Sequence, residues 1–294
     1  VTPGRGPGDA TRAKVVALVP VWRAEHFLAP TLDTLAAQDY PNLEILISDD
    51  ASPDRSAAIA DAYAARDPRF RVIRQLRNLG WVGNVNALLG EARGDYFVFA
   101  FQDDLPAPGY ISRCVEALEA NPRAIIAFSD IELVLQDGTL EQKSYETLDG
   151  VSDRLRRARL VVAQRGSWWI PNRGVFRAGA AHAIGGLRRH LAGEFSADWP
   201  WLLHMSLLGE FVRIPERLVR KIYLPTSLSR GWDFGARSWT AVTISAMRGV
   251  GRARIGTGEK LALGRALAGF LGRHYRRALR RSAGRARRAL GLRR

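Results

Sequence analysis

Two pairs of adjacent carboxylates each close an apolar run, Asp49 with Asp50 in "LEILISDD" and Asp103 with Asp104 in "YFVFAFQDD". Like charges side by side repel, and each raises the other's pKa unless something positive or hydrogen-bonding sits between them. A divalent cation is one natural partner, since Mg2+ and Mn2+ take hard oxygen ligands, commonly one or two carboxylates plus substrate phosphates. Plainer readings stand beside this one. Asp and Ser in "DDASPDRS" suit helix caps and turns, and Asp103 and Asp104 lead into the turn-forming "PAPGY". Spacing alone leaves site and turn equally open for the second pair. A fifth acid, Asp198 in "GEFSADWPWLLHMSLLG", stands before a helical stretch with Pro200 in its first turn, where the residues alone favour a cap over proton transfer. His26, His182, His190, His204 and His274 are scattered without zinc-ligand spacing.

The elements that must hold these acids alternate. "KVVALVPVW" reads as a strand, "HFLAPTLDTLAAQ" as a helix, "LEILISDD" as a strand and "DRSAAIADAYAARD" as a helix. "FRVIRQ", "VGNVNALLGEA" and "YFVFAFQDD" continue the series as strand, helix and strand. Such alternation predicts right-handed βαβ units and a mainly parallel sheet flanked by helices, whose ligands lie outside the carboxyl ends of the strands. The segment from Pro20 to Arg23 and both acidic pairs fall at that rim.

A chain of 294 residues, 47% hydrophobic and 25% charged, has enough apolar material for a substantial core. The single cysteine, Cys114, excludes an internal disulfide, fits a packed thiol in a helix and points to a reducing compartment. No run approaches the ~20 apolar residues that span a bilayer, and the N-terminal stretch lacks an apolar signal core. A cytoplasmic protein is therefore expected. The net charge of +15 is concentrated: residues 252–294 carry fourteen Lys or Arg against one acid, Glu259, which leaves only +2 for the rest. Within that tail Leu263, Leu267, Phe270, Leu271, Tyr275 and Leu279 recur at helical spacing among arginines. The pattern fits a basic amphipathic helix on an anionic membrane face, or one that packs on the body and shows its arginines to water. Nucleic acid ranks below both, because no aromatic platform or reading motif accompanies the arginines.

"VALVPVWRAEHFLAPTLDTLAAQDYPNLEILISDDASPDRS" and "RNLGWVGNVNALLGEARGDYFVFAFQDD", followed by "WWIPNRGVFRAGAAHAIGGL" and "ADWPWLLHMSLLGEFVRIPERLVR", resemble a GT-A glycosyltransferase of family 2. The likeness covers about residues 14 to 225 and does not extend to the basic tail. It implies a GT-A fold with a flexible segment 1–13, a nucleotide-sugar-binding half 14–110, an acceptor half 111–225 and a C-terminal loop and basic helix 226–294. It also implies an inverting, metal-assisted transfer from a UDP- or dTDP-sugar to a glycan or lipid-linked glycan.

By the same resemblance Pro20, Val21 and the backbone of Trp22 line the nucleoside pocket, and Asp50 accepts the pyrimidine N3 hydrogen. Asn78, Gly80 and Asn86 match a loop and helix start, Asp103 lies near ribose and metal, and Asp104 is the direct ligand of Mn2+ or Mg2+. Asp198 matches the general base, with Glu194 in reserve. Trp168, Trp169, Trp199 and Arg173 are candidates for acceptor contact, although tryptophans at such spacing equally suit a core. The sequence departs from the family at Arg23, at Phe101 where a further acid is usual, at Val85 where a basic residue often stands, and at Pro200 and His204. With Val85 apolar, the diphosphate is left to the metal or to Arg77. The departures at Phe101, Val85 and Pro200 keep open a non-catalytic sugar-nucleotide or membrane-surface binding protein on the same fold.

Overall fold

Seven consecutive buried residues, "VVALVPV", make β1 (Val15–Val21), a strand apolar on both faces, as the centre of a parallel sheet requires. The chain continues through α1 (Leu28–Ala36), β2 (Leu43–Asp49), α2 (Ser56–Ala64), β3 (Phe70–Arg74), α3 (Gly80–Glu91) and β4 (Tyr96–Phe99). The computed structural model describes residues 12–164, 166–223 and 228–289, without the side chains of 228–229 and 277–289. Most of the N-terminal segment expected to be flexible, Pro225 and the loop residues beside it, and residues 290–294 thus lie outside the described residues, as does the side chain of Leu279.

Strands β3, β2, β1 and β4 are parallel neighbours in that order, the arrangement expected from the alternation of elements. The direction of winding reverses between β1 and β4, which opens a crevice at their carboxyl ends. Next come β5 (Asp104–Pro106), α4 (Tyr110–Ala120), β6 (Ala124–Val134), β7 (Leu140–Lys143), α5 (Arg154–Ala163), β8 (Val175–Arg177) and α6 (Ala178–Ile184). The chain then forms α7 (Asp198–Leu208) and β9 (Glu210–Ile222). These strands extend the same sheet in the order β8, β6, β9, β5, with antiparallel pairs at β4–β8, β8–β6 and β9–β5 and a parallel pair at β6–β9.

"YFVFAFQDD" is not one strand. β4 stops at Phe99, the Asp104 N–H closes a turn on the Phe101 carbonyl (3.0 Å), and β5 begins at Asp104 itself. Pro106 therefore ends a short edge strand, where a missing N–H is tolerated, and only Pro108 lies in the turn into α4.

Helix α7 is apolar nearly all round, with Trp199, Trp201, Leu202, Leu203, Met205 and Leu207 buried, and packs against α5, α6 and the helix that follows β9. Beyond residue 225, where a loop and one basic helix are expected, the chain forms two helices, α8 (Ala236–Arg252) and α9 (Thr257–Ala289). Leu263, Leu267 and Phe270 of α9 are buried against the body, and the Phe270 ring lies 4.8 Å from Trp199. The amphipathy of this part of α9 is thus used in packing. Among the described residues no helix is long and apolar enough to cross a membrane.

Leu267→Ala is expected to destabilise the folded protein by about 2–5 kcal/mol, the usual cost of emptying a buried leucine site. Equilibrium urea unfolding measures this; an unchanged stability would mean that the stripe faces something other than the body.

Candidate functional site

The carboxyl ends of β1, β2 and β4 bring Trp22, Asp50 and the 100–104 turn together, as their position at the strand ends predicts. Val21 and Asp50 are buried, and Trp22 is 41% exposed at the crevice mouth. Gln102 fixes the Trp22 backbone from across the crevice: the Trp22 N–H donates to Gln102 Oε1 (3.1 Å), and Gln102 Nε2 donates to the Trp22 carbonyl (3.4 Å). Nothing in the sequence singled out Gln102 except its place before the acids.

Asp50 Oδ1 accepts the Leu79 N–H at 2.6 Å, and Asn78 Nδ2 donates to the Asp50 carbonyl at 3.3 Å, so β2 grips the start of α3. Burial pushes the Asp50 carboxyl up, the N–H groups of Leu79 and Gly80 oppose the rise, and nearby Glu194 adds to it. Glu194 itself is committed elsewhere than expected. Its carboxylate accepts the N–H groups of Trp81 (3.0 Å) and Val82 (3.1 Å) in the first turn of α3, where a negative charge is favoured, and pairs with Arg189 at 2.8 Å. Gly80, at φ 73°, admits this approach, since a Cβ there would meet Glu194 Oε1 at 2.6 Å. Glu194 is therefore a helix cap in place of a reserve base or acceptor contact. Arg77 is exposed in the loop before α3.

Asp103 and Asp104 meet two protein cations. Lys221 Nζ lies 2.5 Å from Asp103 Oδ2 and 3.4 Å from Asp104 Oδ1, and Arg173 Nε lies 2.8 Å from Asp104 Oδ2 at an ion-pair angle that makes no hydrogen bond. Burial raises the Asp104 carboxyl, and Arg173 and Lys221 work against that rise. The pair expected to hold a divalent ion is thus already neutralised, and its ammonium partner bridges both carboxylates where an ion would have to sit. Among the described residues no group of three or more His, Cys, Asp or Glu side chains could hold a metal. A divalent cation does not fit this arrangement unless Lys221 leaves it.

Arg173 continues the network. It belongs to a single 3-10 turn, Ile170–Arg173, its guanidinium stacks on Trp169 (4.7 Å) and Phe101 (5.2 Å), and its carbonyl accepts from Tyr110 Oη (2.6 Å). Its buried neighbour Asn172 donates through Nδ2 to Asp198 Oδ2 at 2.8 Å. Asp198 is the first residue of α7; its other oxygen, Oδ1, is enclosed and unpartnered, although the residue as a whole keeps some exposure. Burial lifts the Asp198 carboxyl to about 6, against the opposing pull of Arg173 and the hydrogen bonds it receives. Trp168 and Trp169, just before the turn that carries Arg173, are half-buried. Trp199 is not available to an acceptor: it is fully buried, and its Nε1–H donates to the Val161 carbonyl at 3.0 Å. Aromatic rings from the far end of the chain close the other side, with Trp232 near Trp81 (6.3 Å) and Phe195 (5.6 Å).

The glycosyl transferase family 2 pattern matches residues 16–169, more than half of the chain. The chain belongs to glycosyl transferase family 2. Its relatives include the uncharacterized glycosyltransferase EpsJ of Bacillus subtilis (strain 168), 37% identical over 109 residues, which are 37% of this chain and 31% of EpsJ. The match thus spans about a third of that relative. Among solved structures, S. aureus TarS 1-349 in complex with UDP-GlcNAc aligns with 89% of this chain and 72% of its own at a TM-score of 0.70 and 16% identity. The mannosyltransferase PcManGT from Pyrobaculum calidifontis, in complex with GDP-Man and Mn2+, aligns with 96% of this chain and 82% of its own at a TM-score of 0.56, also at 16% identity. These structural likenesses place the fold among GT-A glycosyltransferases.

The raised Asp198 carboxyl has a measurable sign. Between its ordinary value of 3.8 and about 6 the folded protein holds a proton that the unfolded chain has released, so the burden of Asp198 grows as pH rises through that window. Asp198→Asn, which is neutral throughout, is expected to gain about 3 kcal/mol relative to wild type between pH 4 and pH 7. Urea unfolding of both proteins across that range measures the gain; parallel pH profiles would contradict the enclosed carboxyl.

Proposed function

We propose that this chain is an inverting glycosyltransferase that moves a sugar from a UDP- or dTDP-linked donor to a hydroxyl of a glycan or lipid-linked glycan. The observation that carries the reading is the line of contacts Asp198–Asn172–Arg173–Asp104, which joins an enclosed carboxylate to the acidic pair at the crevice. Asp198 takes the proton of the acceptor hydroxyl as that oxygen attacks the anomeric carbon. The bond from that carbon to the nucleotide diphosphate breaks on the opposite face, and the configuration inverts. Asn172 orients the carboxylate through Oδ2 and leaves the enclosed Oδ1 without a protein donor, so the acceptor hydroxyl supplies its missing partner.

On the donor side, Pro20, Val21 and the Trp22 backbone frame the base, Asp50 takes the N3 hydrogen of uracil or thymine, and Asp103 faces the ribose. Asn78 and Gly80 shape the loop that carries Leu79 to Asp50. A UDP-sugar agrees with the UDP-GlcNAc complex of TarS, while the GDP-Man and Mn2+ of the archaeal mannosyltransferase belong to that enzyme. Lys221 and Arg173 already balance the acidic pair. Trp168 and Trp169 offer half-buried ring faces to the acceptor.

The eight arginines of residues 277–294, with no acid among them, suit attachment to an anionic membrane face. A groove of about 540 Å³ between α5 and α9 is lined by Arg159, Arg273 and Phe270. Removing 277–294 spares Leu263, Leu267 and Phe270 and is expected to abolish cosedimentation with phosphatidylglycerol vesicles; unchanged cosedimentation would exclude the anchor.

Asp198→Asn is expected to lower kcat for transfer from UDP-sugars by about 100-fold or more while UDP affinity stays within about twofold, as removal of a general base does. In the wild type, kcat/KM should fall on the acid side with a limb near pH 6, where the Asp198 carboxyl protonates. Transfer that survives the substitution, or a profile flat through pH 6, would assign the proton to another group.

A further inference from the structure

Departure of a nucleoside diphosphate leaves negative charge on phosphate oxygens, and some cation at the acidic pair has to meet it. The structure holds two. Lys221 and Arg173 together carry the charge of one divalent ion, and they lie against Asp103 and Asp104 at 2.5–3.4 Å. We propose that Lys221, supported by Arg173, takes the place of a divalent cation toward the donor diphosphate, so that donor binding and transfer need no metal. This rests on the nucleotide-sugar reading above and goes further by naming the cation.

Backbone geometry places the lysine there. In the antiparallel β5–β9 pair, Asp104 is directly opposite Lys221, which puts both side chains on one face of the ladder, and the Ile222 N–H donates to the Asp103 carbonyl at 3.0 Å. A surface lysine drawn to an acid by chance has no such anchoring; this side chain is only 13% exposed. Its ammonium has three donors, of which one makes the short bond to Asp103 and the more distant Asp104 takes a second, so a third remains for a phosphate oxygen. Arg173 is held through Nε at Asp104 and by stacking on Trp169 and Phe101, with further N–H groups in its planar fork. A divalent ion at the same carboxylates needs oxygens at about 2.0–2.2 Å and would sit against two fixed positive charges. It would be resisted by the residues that replace it.

The test titrates UDP and dTDP into the full chain by calorimetry, once with EDTA and once with Mn2+ or Mg2+, and compares wild type with Lys221→Ala. Wild-type affinity is expected to be the same within about twofold in all three buffers, and Lys221→Ala to lose about tenfold or more for UDP in EDTA. Uridine, which lacks the diphosphate, should bind both proteins alike, and that control separates loss of a phosphate contact from damage to the pocket. The wild-type arm needs no substitution and stands even where Lys221→Ala folds poorly. Binding of UDP to wild type only when Mn2+ or Mg2+ is present overturns the lysine proposal and leaves the glycosyltransferase reading intact, as does an unchanged UDP affinity in Lys221→Ala. Folded wild type that binds none of UDP, dTDP, GDP, CDP or ADP in any buffer overturns both.

Discussion

Two adjacent carboxylates at the inner end of a sheet cannot stay there uncompensated, because a buried charge without a partner costs several kcal/mol. The rest of the site follows from how Asp103 and Asp104 are balanced. Lys221 reaches them from the last strand and Arg173 from a 3-10 turn between α5 and β8, so the pair draws together three segments distant in sequence. The turn that delivers Arg173 also delivers Asn172 to Asp198. One turn therefore serves both the acidic pair and the Asp198 carboxylate.

Helix α7 supplies the second requirement. Its apolar surface is buried among α5, α6 and α8, which fixes the position of its first residue, Asp198. The same enclosure that locks the helix strips water from the carboxylate and raises its pKa to about 6. Rigid support and base strength therefore come from one packing arrangement. Backbone conformation adds to it: Arg23, Ala51 and Ser196 hold φ values of 51°, 57° and 48° next to Trp22, Asp50 and the Asp198 segment. Left-handed backbone at residues with a Cβ costs about 1–2 kcal/mol each, and its concentration around the crevice fits a surface shaped for a ligand.

Much of this was legible in the amino-acid order. Continuous β-branched runs mark β1 and β2 because both faces of a central parallel strand are covered, and the acids that end the runs must then lie at the rim. Asp49 and Asp50 stand at the end of β2 as that pattern puts them, whereas Asp104 opens β5 after a turn. What the sequence could not display were partners distant along the chain. Lys221 is 117 residues from Asp104, at the end of an unremarked strand, and Asn172 is 26 residues from Asp198. Glu194 had the right chemistry for a base but caps α3 across 112 residues, and Trp199 turned inward because Val161 and Phe270 enclose it. The tail shows the limit of periodicity: an apolar stripe looks the same whether it meets a bilayer or a neighbouring helix, and for Leu263, Leu267 and Phe270 it meets the body.

The most direct measurement is anomalous diffraction at the manganese edge from crystals of the full chain grown with UDP and Mn2+. The account predicts a diphosphate oxygen at hydrogen-bond distance, about 2.7–3.2 Å, from Lys221 Nζ and no anomalous peak at Asp103 and Asp104. A manganese peak bridging those carboxylates and the diphosphate, with Lys221 swung away, would contradict it.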